Sequence, residues 1–195
     1  MILGLTGPTG AGKTTFCKEA VKEGFAVINA DEVAHKVLET EEVKTALGLT
    51  FGHTILKDGH LDRKALASLA FADATQTERL NQTVLPFISA EINRLIRENK
   101  EPHLVLDAPT LFESGLDAVC DDVLCVLSDR DKRKARILSR DNMTEEAAEQ
   151  RLDAAKEDAF FLSRCRYVLF NNQTVEAFAD ESARLLKQIL QTEQE

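Results

Sequence analysis

The stretch Gly7-Pro8-Thr9-Gly10-Ala11-Gly12-Lys13-Thr14 fills every position of G-x-x-x-x-G-K-[ST], and it leaves this chain of 195 residues few ways to fold. Its flanks are those the motif needs. Ile2 to Thr6 reads as a buried parallel strand, and Lys13 to Lys22 as a helix closed by Gly24. Glycines permit positive φ and let the main chain close around an anion. The amides of Gly10, Ala11, Gly12, Lys13, Thr14 and Thr15 are then expected to face nucleotide phosphates at a helix start. Lys13 adds a mobile charge for the β- and γ-phosphates, and the Thr14 hydroxyl is placed to ligand Mg2+. The plain alternative is a glycine-rich turn with an incidental lysine. The motif points to nucleotide binding without separating a kinase from a GTPase or a motor.

Further along, Phe25 to Ile28 reads as a second strand, and Asp31 as the N-cap of a helix running to about Glu39. Gly48 to Leu61 is loop-like, and Asp62 to Asn99 is helical with a break expected near Pro86. His103 to Leu106, Val123 to Leu127 and Tyr167 to Phe170 read as three more strands. Lys132 to Ser139, Glu145 to Leu162 and Val175 to Ile189 read as helices, and the tail Gln191 to Glu195 as frayed. Strands alternating with helices predict an α/β chain whose five-stranded parallel sheet carries helices on both faces. The expected organisation is a single domain over residues 1–195. Its nucleotide-binding core comprises 1–30, 103–130 and 163–195, with a helical substrate subdomain at 31–102 and a lid with flanking helices at 131–162.

Charge bears on the partners. Lys plus Arg number 24 against 33 Asp plus Glu, a formal net charge of −9, so there is no general field for nucleic acid. No run of about 18 apolar residues suggests a membrane span, and the N-terminus lacks a basic leader, so a cytoplasmic protein is expected. Cys17, Cys120, Cys125 and Cys165 lack C-x-x-C spacing and read as small core hydrophobes in a reducing compartment.

Several features favour a small kinase. A base-reading N-K-x-D segment is missing: the strand end Phe170-Asn171-Asn172-Gln173 does not carry it. Asp31 follows strand two, whose tip is expected beside the phosphate loop, where a carboxylate can accept a proton from an acceptor hydroxyl. Its plain role is helix capping, and the two are compatible. Ser128 to Asp141 concentrates Arg130, Lys132, Arg133, Lys134, Arg136 and Arg140 in an acidic chain. Arg136 and Arg140 share a helical face and suit a lid that offsets charge on a transferring phosphoryl group, against the alternative of a solvated basic face. Asp107 closes the third strand, where it suits Mg2+ held through water or merely stabilises the next turn; Glu113 is a weaker candidate. Asn171 is placed at an adenine pocket by loop position alone.

Taken in order, these segments resemble dephospho-CoA kinase over nearly the whole chain. ILGLTGPTGAGKTT looks like that family's opening strand and phosphate loop. INADEVAH, Ile28 to His35, is similar to its second motif, whose later aspartate is the catalytic base and falls on Asp31 here. Phe51 to Asp73 looks like its substrate-side insertion, with Leu61-Asp62-Arg63 and Phe71. Leu106 to Leu116 is similar to its third-strand motif, and Arg136 to Leu152 to its lid. Asn29 stands where the first of two aspartates is usual, Leu85 where a histidine is usual, Thr110 for a leucine and Ala155 for a glutamine. The resemblance implies a P-loop kinase fold and ATP-dependent phosphorylation of the ribose 3′-hydroxyl of dephospho-CoA, with Mg2+. It implies catalytic roles for Asp31, Lys13 and Arg140, nucleotide contacts from Arg136, and acceptor contacts at Arg63 and Pro86. Neither nucleic acid nor membrane is an expected partner, and the chain is expected to be a monomer or weak homo-oligomer. The rivals are another small-molecule or nucleoside monophosphate kinase and a non-catalytic ATP-binding regulatory protein.

Overall fold

A computed structural model describes residues 1–192. The chain divides into two compact units, Met1–Ile28 with Lys100–Glu195, and Asn29–Asn99.

The first unit is built on a five-stranded parallel sheet, β1 (Ile2–Thr6), β2 (Phe25–Asn29), β5 (His103–Asp107), β6 (Asp122–Leu127) and β7 (Tyr167–Phe170), in the order β2-β5-β1-β6-β7. Burial on both faces explains the apolar runs. Leu124 and Val126 of β6 join Leu3, Leu5 and Val105 in a core with Phe16 of α1 (Lys13–Lys22) and Phe178 and Leu186 of α9 (Val175–Thr192). Their alternates Cys125 and Leu127 pack with Phe161 of α8 (Asp158–Leu162) on the opposite face. Phe16 and Phe178 are almost fully buried, each stabilising the fold by roughly 1.5–3 kcal/mol. Register aligns the carboxyl ends of the strands. Leu5 pairs with Asp107, Thr6 with Cys125 and Leu127 with Phe170. Residues just past those ends, Gly7, Ser128 and Asn171, therefore share one edge of the sheet, where open α/β sheets bind ligands. After β6 the chain forms α6 (Arg130–Asp141) and α7 (Glu145–Asp153). The single helix expected from Glu145 to Leu162 is instead α7 and α8, separated at residues 154–157. Gln191 and Thr192 extend α9 rather than fraying, and the rest of the expected frayed tail lies outside the described residues.

The second unit holds α2 (Ala30–Val37), α3 (Glu41–Phe51), a hairpin of β3 (Leu56–Lys57) and β4 (His60–Leu61), α4 (Arg63–Ala70) and α5 (Ala74–Glu98). Here the sequence expectations need correction. The stretch read as loop from Gly48 contains the end of α3, a 3-10 turn at His53–Ile55 and the hairpin. The break in the helical block lies at Phe71 to Asp73, where the Asp73 side chain accepts from the Gln76 amide (2.8 Å) and starts α5. Pro86 does not interrupt α5. It is exposed, while Val84 is buried. The one missing N–H is tolerated because residues on either side keep the helix packed.

Candidate active site

The phosphate loop presents amides because its carbonyls are held from behind. Gly12 is the N-cap of α1 at φ 115°, and no side chain caps this helix among the described residues. The Thr15 and Phe16 amides reach Gly12 O (3.0 and 3.3 Å), leaving the earlier amides without helical acceptors. A Cβ at Gly12 would collide with Asn171 Nδ2, so only glycine fits this left-handed position. The Lys13 ammonium donates to Gly7 O (2.8 Å), lying along the loop.

Asn171, expected at an adenine pocket, is instead buried under the loop. Its Nδ2 donates to Ala11 O (2.8 Å) and its amide to Leu127 O (2.8 Å). Arg136, expected on phosphate, joins it. Arg136 Nη1 donates to Gly10 O (3.1 Å), Ala11 O (3.3 Å) and Ser128 Oγ (3.0 Å), and Nη2 to Asn171 O (2.9 Å) and Asn171 Oδ1 (3.1 Å). Burial lowers its pKa, and a guanidinium keeps its charge in proteins. Ser128 and Asn172, which sequence reasoning passed over, complete the network. The Ser128 hydroxyl donates to Asn171 O (2.7 Å), and Asn172 Oδ1 accepts from the Asp129 amide (2.9 Å). The signal was a polar residue directly after each of two strands.

Asp107 closes β5 as expected, buried and in register with Leu5 of β1, with the Ala108 amide donating to Leu5 O (3.0 Å). Its carboxylate accepts the Cys17 thiol, and burial together with that negative neighbour pushes Cys17 up to about 12. Thr14 is exposed at the start of α1. A hydroxyl and a carboxylate are hard oxygen donors of the kind Mg2+ takes, so Thr14 and Asp107 fit the expected ion. Among the described residues there is no cluster of three or more His, Cys, Asp or Glu side chains suited to hold a metal.

Arg140 is bonded to its neighbour on α6. Its Nε and Nη2 donate to Asp141 (2.5 and 2.9 Å), which also accepts from Arg151 Nη1 (2.8 Å). These bonds raise the Arg140 pKa and lower that of Asp141. Arg130 and Lys134 are likewise paired across to Glu149 of α7. Arg133 is buried on α6, with Nε and Nη1 lacking hydrogen-bond partners among the described residues.

In the other unit, Asp31 lies exposed in the first turn of α2. It is not the cap. Asn29, in extended conformation, accepts from the Glu32 amide (3.0 Å) through its side-chain oxygen. In the sheet, β5 lies between β2 and β1. Within this unit a cavity of about 330 Å3 is lined by apolar side chains including Leu61, Val84, Leu85 and Ile88, with His35, Arg63 and Asn81 as polar members. Arg63 Nη2 donates to Glu39 Oε1 (2.8 Å), holding that carboxyl below the usual carboxylate range. Pro86 is not part of the cavity wall.

The chain as a whole has counterparts among known proteins. A family model described as dephospho-CoA kinase matches residues 1–177. The chain belongs to the dephospho-CoA kinase family. It is 34% identical over 177 residues to a dephospho-CoA kinase of Fusobacterium nucleatum, spanning 90% of this chain and 92% of that one. It is 36% identical over 193 residues to one of Corynebacterium glutamicum, spanning 96% of each. The solved dephospho-CoA kinase from Campylobacter jejuni superposes with a TM-score of 0.70 at 27% identity, over 96% of both chains.

The structure places each of the positions singled out as departures by the sequence resemblance. Asn29 supplies a capping oxygen to α2, of the kind an aspartate at this position would also offer. Leu85 lines the cavity and makes that part of its wall apolar. Thr110 is exposed and uses its carbonyl to accept the Ser114 amide (3.0 Å), a bond any side chain allows. Ala155 falls in the break between α7 and α8, its amide donating to Leu152 O (3.2 Å).

Proposed function

We propose that the chain transfers the γ-phosphoryl group of ATP to the ribose 3′-hydroxyl of dephospho-CoA, giving coenzyme A and ADP. The observation that carries this is a phosphate loop whose carbonyls are tied down behind it, in a chain matching the dephospho-CoA kinase family over residues 1–177. The loop amides from Gly10 to Thr15 hold the triphosphate, those of Ala11 and Thr15 on leaving Pro8 O and Gly12 O, and Lys13 moves from Gly7 O to offset charge on the β- and γ-phosphates. Thr14 and Asp107 hold Mg2+, which when bound neutralises phosphate charge as a Lewis acid. Asp31 orients the acceptor hydroxyl and takes its proton. Arg140 exchanges Asp141 for the transferring phosphoryl group. The cavity of the Asn29–Asn99 unit takes the long, largely apolar arm of the acceptor, with Arg63 exchanging Glu39 for one of its anionic groups.

The enzyme works as a cytoplasmic monomer or weak homo-oligomer that binds neither nucleic acid nor membrane. The acidic balance supports this, and no described helix is long and apolar enough to cross a membrane.

A coupled assay of ATP consumption against dephospho-CoA, a nucleoside monophosphate, shikimate and gluconate tests the proposal. Turnover should be confined to dephospho-CoA, with the product carrying a 3′-phosphate by phosphorus NMR. Tight ATP binding without turnover on any acceptor would favour a regulatory protein instead. Asp31→Asn should leave Mg·ATP affinity nearly intact and lower turnover by about 10²-fold or more, the usual loss of a general base. Wild-type turnover in that variant would remove Asp31 from the mechanism.

A further inference from the structure

We infer that Arg136 acts from behind the phosphate loop, as a positioning residue, and does not grip the transferring phosphate. The inference rests on the loop's role in binding nucleotide and not on the identity of the acceptor.

The two terminal nitrogens of a guanidinium carry four N–H groups between them. In Arg136 these face five acceptors: Gly10 O, Ala11 O, Ser128 Oγ, Asn171 O and Asn171 Oδ1. Nothing on those nitrogens remains for a phosphate unless the network breaks. The most informative acceptor is Ala11 O, which receives Arg136 Nη1 (3.3 Å) and Asn171 Nδ2 (2.8 Å) together. In a trans peptide the C=O and the following N–H point in opposite directions. Pinning the Ala11 oxygen toward α6 and Asn171 therefore turns the Gly12 N–H the other way, out of the loop. A charged donor on that oxygen also polarises the peptide, making the opposite N–H a stronger donor to an anion.

The same geometry accounts for the steric requirement at Gly12. Its missing Cβ is the space that Asn171 Nδ2 occupies, so glycine and asparagine form one fitted unit. Ser128 ties the unit together by accepting from Arg136 and donating to Asn171 O (2.7 Å). Arg136 and Arg140 lie one helical turn apart on α6, yet they do different work. Arg136 is bonded to the loop, whereas Arg140 is bonded to its own neighbour, Asp141.

The test is Mg·ADP binding by titration calorimetry without acceptor, paired with steady-state kinetics. Loss of buried charge-assisted bonds predicts that Arg136→Gln weakens Mg·ADP by about 10- to 100-fold, while turnover at saturating ATP stays within about 3-fold. Arg136→Lys keeps the charge without the planar fork, and should retain most of the defect. Asn171→Ala should shift affinity in the same direction. The double variant Arg136→Gln/Asn171→Ala should lose less than the sum of the two, since both act on the Ala11 oxygen.

Should Arg136→Gln fail to fold, Ser128→Ala loosens the same unit and should raise KM for ATP by about 3-fold with kcat unchanged. A fall in kcat with unchanged Mg·ADP binding, full rescue by lysine, or strict additivity with Asn171→Ala would overturn the inference. The binding arm reads out even if dephospho-CoA proves not to be the acceptor, so the two failures are distinguishable.

Discussion

The phosphate loop and the face between α6 and α7 both concentrate polar groups, but they hold them in opposite ways. Around the loop, Arg136, Asn171 and Ser128 bond mainly to backbone carbonyls, in partly or fully buried positions. Across α6 and α7, Arg130, Lys134 and Arg140 pair with Glu149, Asp153 and Asp141, and the Arg130 and Arg140 side chains are 45% and 58% exposed. Buried charge-assisted bonds are worth about 1.5–3 kcal/mol each, whereas exposed pairs are worth about 0–1 kcal/mol and yield to salt. The first arrangement fixes one geometry. The second can be exchanged at little expense, as the proposed move of Arg140 onto phosphate requires.

The sharpest way to break this contrast is Gly12→Ala. The added carbon meets Asn171 Nδ2 and forces a non-glycine residue to φ 115°. Backbone strain of about 1–3 kcal/mol plus displacement of Asn171 predicts roughly 10²-fold weaker Mg·ADP binding. Binding within a few-fold of wild type would mean that the loop is not rigidly seated on its network.

Alkali should act on the loop side. Burial raises the Cys17 thiol from an ordinary 9.0 to about 12, so folding holds a proton that the unfolded chain loses. That contribution to stability is complete below pH 9 and is lost as pH rises from 9 toward 12. Cys120, pushed up to about 12 by burial, adds to the same fall. Denaturant unfolding between pH 8 and pH 10 should show decreasing stability, with a shallower fall in Cys17→Ala. Equal slopes in the two proteins would show that Cys17 is not held buried beside Asp107 in solution.

Arg140→Ala comes next. It removes an exchangeable cation, so it should lower kcat by about 10-fold, leave Mg·ADP affinity unchanged and affect the acceptor KM less than kcat. An effect confined to the acceptor KM would move Arg140 from the transferring phosphoryl group to the acceptor.

How much of this was legible beforehand follows from the same contrast. The loop was readable because its backbone geometry demands specific residue types in consecutive positions, and the five strands because burial on both faces demands apolar runs. The brace was not, because Arg136 and Asn171 are far from the loop in sequence and meet it only through sheet register. A basic helix beside a phosphate loop suggested a phosphate ligand, while the same guanidinium satisfied loop carbonyls. In the Asn29–Asn99 unit, Gly48 suggested a loop. It lies inside α3, where a Cβ would stand only 3.0 Å from His53 Nδ1, so glycine marks close packing there. Asp31 was read as the cap because it is a capping residue type just past the apolar run, as Asn29 also is. The capping oxygen comes from that boundary residue.

The smallest expected effect separates the two regions most directly. Raising salt from about 0.05 M to about 0.5 M shortens the Debye length from roughly 14 Å to roughly 4 Å, so it weakens the exposed α6–α7 pairs and spares the buried loop bonds. Asp141 holds Arg140 and Arg151 together at the end of α6. Asp141→Asn should mimic high salt by releasing both. Because each pair is worth at most about 1 kcal/mol, either treatment should change turnover by no more than about 5-fold, with Mg·ADP affinity following only the general screening of phosphate charge. The two treatments should also be less than additive, since salt cannot screen a pair already removed. If Asp141→Asn instead weakened Mg·ADP binding as much as Arg136→Gln, the α6–α7 face would be part of the loop's support, and the division between a fixed loop and an exchangeable lid would fail.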